Sequence, residues 1–288
     1  SCFLGILWGI HVAVAVACFV LLFSGNLPAA FSPAKVAMIL TWCFYVATMC
    51  TFHLMEFFVT AFYNPTVVAS NSFLVNHSKA YTVASMIAGT EFWLGFWLGG
   101  NDSSSTNVPS ALWWTITMVG MVMVVVSQIM RSCAMMKCGE SFNHYIQMER
   151  KENHVLVTDG IYTWFRHPSY TGFYYWSVGT QVVLHNSFSA VLFAVAGWKF
   201  FAQRIPYEER SLVRLFGDEY YHYVGRSYVG IPFIPALPRD EEQALRQEGE
   251  GEKNKTEDSV EVGLEADPES EPEGYGPAGE HSPLLMST

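Results

Sequence analysis

Four long apolar runs, residues 3–23, 36–58, 81–98 and 111–130, constrain this chain more than any other feature. About 20 apolar residues in α-helix cross the hydrocarbon core of a bilayer. Backbone inside lipid must also satisfy its own hydrogen bonds, which a helix does. A fifth stretch, residues 171–203, is interrupted at His185-Asn186-Ser187. Each half is short for a full crossing, so the stretch predicts a helical hairpin rather than one long helix. The expectation is an all-α, polytopic integral membrane protein of about six transmembrane helices, with the hairpin at its C-terminal end.

Positive side chains set the orientation. With alternating spans, Lys79, Arg131, Lys137, Arg150, Lys151, Arg166, Arg204, Arg210 and Arg214 share one side, while Lys35 and Asp102 lie opposite. The positive-inside rule places the first group and both chain ends in the cytosol. The loop around Asn101 is then lumenal. Of 288 residues, 15% are charged, against about a quarter in soluble domains. The net charge of −10 arises at the end of the chain, where residues 239–288 carry 15 acidic residues against 4 basic ones. That segment is Glu, Gly, Ser and Pro with few large apolar residues, and disorder is predicted. Residues 1–238 hold no basic stripe, which excludes a nucleic-acid binder. The six cysteines include no C-x-x-C and are read as free thiols.

Catalytic signatures such as Ser/His/Asp, H-E-x-x-H or a P-loop do not occur, and no metal site is expected. His53 and Glu56 share a helical face inside an apolar run and read as a buried polar pair bracing helices. The densest polar cluster spans residues 154–172. Asp159-Gly160 marks a turn, and Pro168 suits the first position of a helix. Arg166 or His167 then stands at a helix mouth whose free N–H groups favour an anion. The same segment also reads as an interfacial loop anchoring a hairpin. Residues 206–226 read as an amphipathic helix with Leu212, Leu215, Phe216, Tyr220 and Tyr223 near helical spacing. Such a helix lies on the membrane or caps a site.

These motifs together resemble the isoprenylcysteine carboxyl methyltransferase family. Arg166-His167-Pro168-Ser169-Tyr170-x-Gly172, with His154-x-Leu156-Val157 upstream, carries most of the likeness. Ser141-Phe142-Asn143-His144-x-x-Gln147 is similar to the start of the family's cofactor loop, and Arg204 with Glu208-Glu209 to its R-x-x-x-E-E element. Phe216-Gly217-x-Glu219-Tyr220 and residues 230–234 resemble its closing segment. Phe52-His53-x-x-Glu56, Asn64-Pro65 and Asn76-His77-Ser78 look like its earlier spans. R-H-P-x-Y-x-G alone also resembles phospholipid methyltransferases and sterol reductases, but the ensemble covers residues 1–238.

The resemblance implies a multi-pass endoplasmic-reticulum enzyme with its site facing the cytosol. It would use S-adenosyl-L-methionine to methylate the C-terminal carboxylate of a prenylated cysteine in C-a-a-X proteins, such as small GTPases and lamins, working beside membrane lipid. It implies a transmembrane methyltransferase domain over residues 1–238, its cofactor-binding part at about 131–234, followed by the tail at 239–288. By motif, Gln147, His154, Val155, Leu156, Val157, Tyr162, His167, Pro168, Ser169, Tyr170 and Glu208 would line the cofactor site. Arg204 would hold the substrate carboxylate as the catalytic and substrate-binding residue. Relatives often have polar or acidic residues between that Arg and Glu, whereas here the stretch is Ile205-Pro206-Tyr207. Pro206 predicts a break in the helix that would place Arg204 and Glu208 on one face. The acidic tail has no counterpart in the family's usual ending.

The chemistry agrees with the resemblance. A peptide α-carboxyl has a pKa of about 3.3–3.7, so the nucleophile is already ionised and needs no general base. Alignment and desolvation remain to be supplied. Competing readings are a sterol reductase-like enzyme, which needs a nicotinamide site, and a non-enzymatic membrane protein such as a transporter or receptor subunit. Saturable S-adenosylmethionine binding without NADPH dependence separates the three.

Overall fold

Each predicted apolar run forms a helix in the structure, a computed structural model describing residues 2–24, 32–74, 79–98, 110–142 and 155–234. The helices are α1 (Cys2–Ser24), α2 (Pro33–Tyr63), α3 (Lys79–Leu98), α4 (Ala111–Cys138), α5 (Pro168–Leu184), α6 (Ser187–Phe216) and α7 (Asp218–Val224). Among the described residues the β-structure amounts to one bridge, between Phe165 and Tyr228. By length and composition, α1, α2 and α4 are able to cross a membrane. Serine caps start two of them. The Ser32 and Ser110 hydroxyls accept from the Lys35 and Trp113 amides at 3.3 and 3.2 Å, satisfying N–H groups a helix leaves open.

α4 and α5 make the closest contact. A Cβ on Gly120 would stand 2.8 Å from the Val183 amide, and one on Gly172 2.8 Å from the Ser127 carbonyl. Small residues at such crossings let backbones approach in a membrane bundle. The predicted hairpin turns at His185, whose backbone is left-handed (φ 57). Glu91 of α3 caps the return, accepting from the Phe188 and Ser189 amides of α6 at 2.9 and 2.8 Å. Asn186 donates to the Ala88 carbonyl at 2.9 Å, so α3 holds the turn twice.

The structure corrects three expectations. His53 and Glu56 are both buried and brace neighbouring elements as expected, but through separate partners and not as a pair. Nδ1 of His53 donates to the Phe73 carbonyl at 2.8 Å, while Glu56 forms a two-point ion pair with Arg131. Arg131 is therefore no loop charge: it is buried in α4, and its Nη1 also donates to the Ser169 carbonyl at 3.0 Å. The second correction concerns Pro206, which lies inside an unbroken α6. Tertiary packing overrides the lost backbone hydrogen bond, because Ile205 and Phe201 are clamped beneath residues 229–234. The third concerns the amphipathic segment. It divides at Gly217 (φ 54) into the end of α6 and the separate α7. Its apolar face turns inward, with Phe216, Tyr220 and Tyr223 packed on Ala134 and Tyr162. With that face packed inward, the segment takes the capping one of its two expected placements.

Candidate active site

Pro168 occupies the first position of α5, and the residues before it form a turn that three elements grip. The Arg166 amide donates to the Tyr228 carbonyl at 2.9 Å, and the Tyr228 amide to the Trp164 carbonyl at 2.9 Å. The Arg166 guanidinium points inward, giving Nε to Glu209 at 2.5 Å and Nη1 to the Ser227 carbonyl at 2.7 Å. Nε2 of His167 donates to the same Glu209 oxygen at 3.1 Å. Burial alone would push the Glu209 carboxyl up. The hydrogen bond and charge of His167 and the charge of Arg166 outweigh it and hold the group below the usual carboxylate range. Arg166 is thus consumed by an internal carboxylate and does not offer its charge at the helix mouth.

His167 also approaches Glu208, with Nδ1 3.8 Å from Oε1. The other Glu208 oxygen accepts a short hydrogen bond from the Tyr170 hydroxyl. That hydroxyl in turn accepts from Arg204 Nε at 2.9 Å. Arg204 and Glu208 lie one turn apart on α6 and converge on one side chain, despite Pro206 between them. The Arg204 guanidinium also lies over the Tyr170 and Phe200 rings, 5.4 and 5.9 Å from their centroids. The planar cation is thereby fixed by a hydrogen bond and two aromatic faces.

Tyr170 stands between two cavities. The first is lined by Val155, Leu156, Val157, Tyr162, His167, Pro168, Ser169, Tyr170 and Glu208, every described member of the expected cofactor set. Gln147 and His154 fall outside the described residues. The second cavity is lined by Arg204 with Phe52, His53, Phe173, Phe200 and Phe201, and is mainly aromatic. Tyr170 and Arg131 line both. The Arg131 guanidinium rests between the Phe52 and Phe173 rings, 5.3 and 5.5 Å from their centroids, with its charge offset by Glu56.

Sequence reasoning missed several walls of the first cavity: Arg131, Cys138, Ser211, Leu212, Phe216, Tyr220 and Tyr223. The stripe of Leu212, Phe216, Tyr220 and Tyr223 was the available signal for four of these. Arg131 had a signal too, because an acid inside an apolar span, Glu56, requires a partner. The Tyr220 hydroxyl is buried and has no hydrogen-bond partner among the described residues. Outside the cavity, an exposed pair joins Lys137 to Asp159 at 2.5 Å. The hydrogen bond from Lys137, and then its charge, lowers the Asp159 carboxyl.

Comparison with known proteins places this geometry. Residues 118–214 match the isoprenylcysteine carboxyl methyltransferase (ICMT) family model. A protein-S-isoprenylcysteine O-methyltransferase of Homo sapiens is 42% identical over 198 residues, covering 68% of this chain and 66% of that protein. The Dictyostelium discoideum protein of that name is 42% identical over 190 residues, covering 66% and 76%. The Saccharomyces cerevisiae one is 39% identical over 191 residues, covering 66% and 79%. The chain spans just under two thirds of the vertebrate relatives, for example 64% of the Xenopus laevis protein. A solved structure of the eukaryotic intramembrane Ras methyltransferase ICMT superposes with a TM-score of 0.64 at 36% identity, covering 70% of each chain. The family model ends within α6, but the likeness in sequence and fold reaches well beyond it, and the chain belongs to the isoprenylcysteine carboxyl methyltransferase family.

Proposed function

We propose that this chain transfers a methyl group from S-adenosylmethionine to the C-terminal carboxylate of a prenylated cysteine in processed C-a-a-X proteins. The observation that carries the reading is the Arg204–Tyr170–Glu208 chain, in which one hydroxyl joins a cation beside the aromatic second cavity to an anion lining the first. The relatives' shared name, protein-S-isoprenylcysteine O-methyltransferase, supports the same substrate class.

The first cavity has the right donors and acceptors for the cofactor. Glu208 is a carboxylate that accepts from an ammonium or an adenine amine, and Tyr220 offers a buried hydroxyl lacking a partner among the described residues. Tyr162, Leu212 and Phe216 supply apolar walls. When bound, the cofactor supplies an electrophilic methyl on a sulfonium. Gln147 and His154 are assigned to the same site by motif. In the second cavity, Arg204 faces the carboxylate with a planar fork suited to two-point contact. Phe52, Phe173, Phe200 and Phe201 give the prenyl chain an apolar wall. The carboxylate arrives ionised, so the residues need only align it and strip its water. Tyr170 does both from the boundary, as a wall between the cavities and as the hydroxyl that holds Arg204 in register.

Six spans with both ends in the cytosol, in the endoplasmic-reticulum membrane, complete the reading, and α5 and α6 enter the bilayer beside α4. The catalytic unit is residues 1–238. The acidic tail plays no part in catalysis, so ending the chain at Pro238 keeps specific activity within about twofold. The test of the function is methyl transfer from labelled S-adenosylmethionine to a farnesylated cysteine by the purified chain in lipid. Base-labile label in the product supports the ester. Cofactor binding with no transfer to any prenylated cysteine overturns it.

A further inference from the structure

Residues 227–234 form a strap whose backbone clips the site. The Ser227 and Tyr228 carbonyls accept from Arg166, and the Val229 carbonyl accepts from the Thr171 hydroxyl at 3.0 Å. At Gly230 (φ 90) the strap passes so close to α5 that a Cβ would lie 2.4 Å from the Thr171 hydroxyl. Val229, Ile231 and Ile234 then bury themselves on Phe201 and Ile205 of α6. Phe233 does the opposite. It is 92% exposed, and its backbone is left-handed at φ 61. A bulky residue in that region is strained, and a hydrated phenyl ring is unfavourable. Two costs at one residue call for a partner beyond the described residues.

Contacts along the helices fix its depth. Gly172 of α5 lies against Ser127 and Arg131 of α4, and a Cβ on Gly197 of α6 would stand 3.2 Å from the Tyr174 ring of α5. Trp198, the next residue, donates Nε1–H to the Pro232 carbonyl at 2.9 Å. Phe233 is therefore level with the last apolar turns of α4, where Val126 and Ile129 are exposed. The surface of α6 changes at the same level. Phe188, Val191 and Val195 form a stripe 60–65% exposed, and Trp198, next on that face, is 37% exposed and bonded to the strap, while Phe201 and Ile205 on the neighbouring face are buried beneath it. The exposed apolar stripe of α6 thus ends at Trp198, where the strap meets the helix, and Phe233 stands beside that end.

We propose that the strap is a bilayer-anchored clip. Phe233 inserts among acyl chains just below the headgroups, beside Trp198 as an interfacial aromatic, and ties the Arg166-His167-Pro168 turn to the membrane surface. The partner is bilayer lipid. The proposal rests on the reading that α5 and α6 lie in the membrane, but not on methyl transfer.

The experiment places p-benzoylphenylalanine, an aromatic of similar shape, at position 233 and, in a second protein, at exposed position 219 on α7. Each full chain is reconstituted in phosphatidylcholine vesicles, illuminated, and analysed for lipid adducts by mass spectrometry. The expected yield at 233 exceeds that at 219 by at least about fivefold; equal yields overturn the proposal. In the same vesicles, Phe233→Leu keeps the wild-type rate within about twofold, while Phe233→Glu lowers it by about tenfold, with thermal midpoints measured for both. Full activity of Phe233→Glu overturns the role of the clip. A chain that forms adducts at 233 but methylates nothing would remove the functional reading and leave the anchor standing.

Discussion

α1 and the α4–α5–α6 bundle both begin as apolar helix, yet they are held by different physics. α1 packs against α2 and keeps Phe3, Ile6, Ile10, Val16 and Phe19 exposed. Its His11 bonds to the Leu7 carbonyl of its own helix at 2.9 Å. An all-round apolar helix of this kind is stable only in lipid or in a larger core. The bundle, by contrast, gathers paired charge: Arg131 with Glu56 of α2, and Arg166 and His167 with Glu209, all buried, then half-buried Arg204 through Tyr170 to half-buried Glu208. Lipid holds the first region without specifying where it sits. Paired charges fix the second in register, and the site is built there.

That contrast breaks first at Glu56 and Arg131. Removing one partner from a buried ion pair costs about 3–5 kcal/mol, whereas replacing both with apolar residues is often far milder. Arg131→Met is expected to collapse the thermal midpoint in detergent, and Glu56→Leu with Arg131→Met to recover much of it. Equal midpoints for the single and double variants would show that the pair is not what sets the register. Glu209 gives a smaller, pH-dependent effect. Its folded carboxyl lies below the unfolded value, so it adds stability that is present above about pH 4.3 and lost as pH falls through the folded pKa. The wild-type midpoint should drop as pH falls from about 5 to about 3, and Glu209→Gln should flatten that slope. Identical slopes would contradict the assignment. The exposed Lys137–Asp159 pair marks the low end of the scale. Asp159→Asn should move the midpoint by no more than about 1 °C, as surface pairs contribute little.

The helices were legible because a run of about 20 apolar residues has few other fates. The hairpin was legible because His185-Asn186-Ser187 interrupts such a run. Around the first cavity, the motif pointed to Val155–Val157, Tyr162, His167–Tyr170 and Glu208, residues that the fold gathers from a loop, α5 and α6. Their gathering depends on long-range partners that no local pattern displays. Arg131 reads as a loop charge because the apolar run ends at Met130, yet α4 continues to Cys138 with Glu56 neutralising the guanidinium. Pro206 reads as a break because local propensity disfavours it, yet packing beneath the strap carries α6 through to Phe216. In both places the deciding contact lies tens of residues away in sequence.

The central claim is that Tyr170 divides one site into a substrate side at Arg204 and a cofactor side at Glu208. Crossed binding and kinetics of Arg204→Gln and Glu208→Gln test it most directly, with stability measured alongside. A charge-assisted contact contributes roughly 1.5–3 kcal/mol. Arg204→Gln should therefore lower turnover efficiency for farnesylated cysteine by about 10- to 150-fold with S-adenosylmethionine affinity nearly unchanged. Arg204→Lys should restore part of the loss, and Glu208→Gln should instead weaken cofactor binding. If cofactor affinity falls as far in Arg204→Gln as in Glu208→Gln, or if Arg204→Gln keeps full activity, the two-sided site is contradicted.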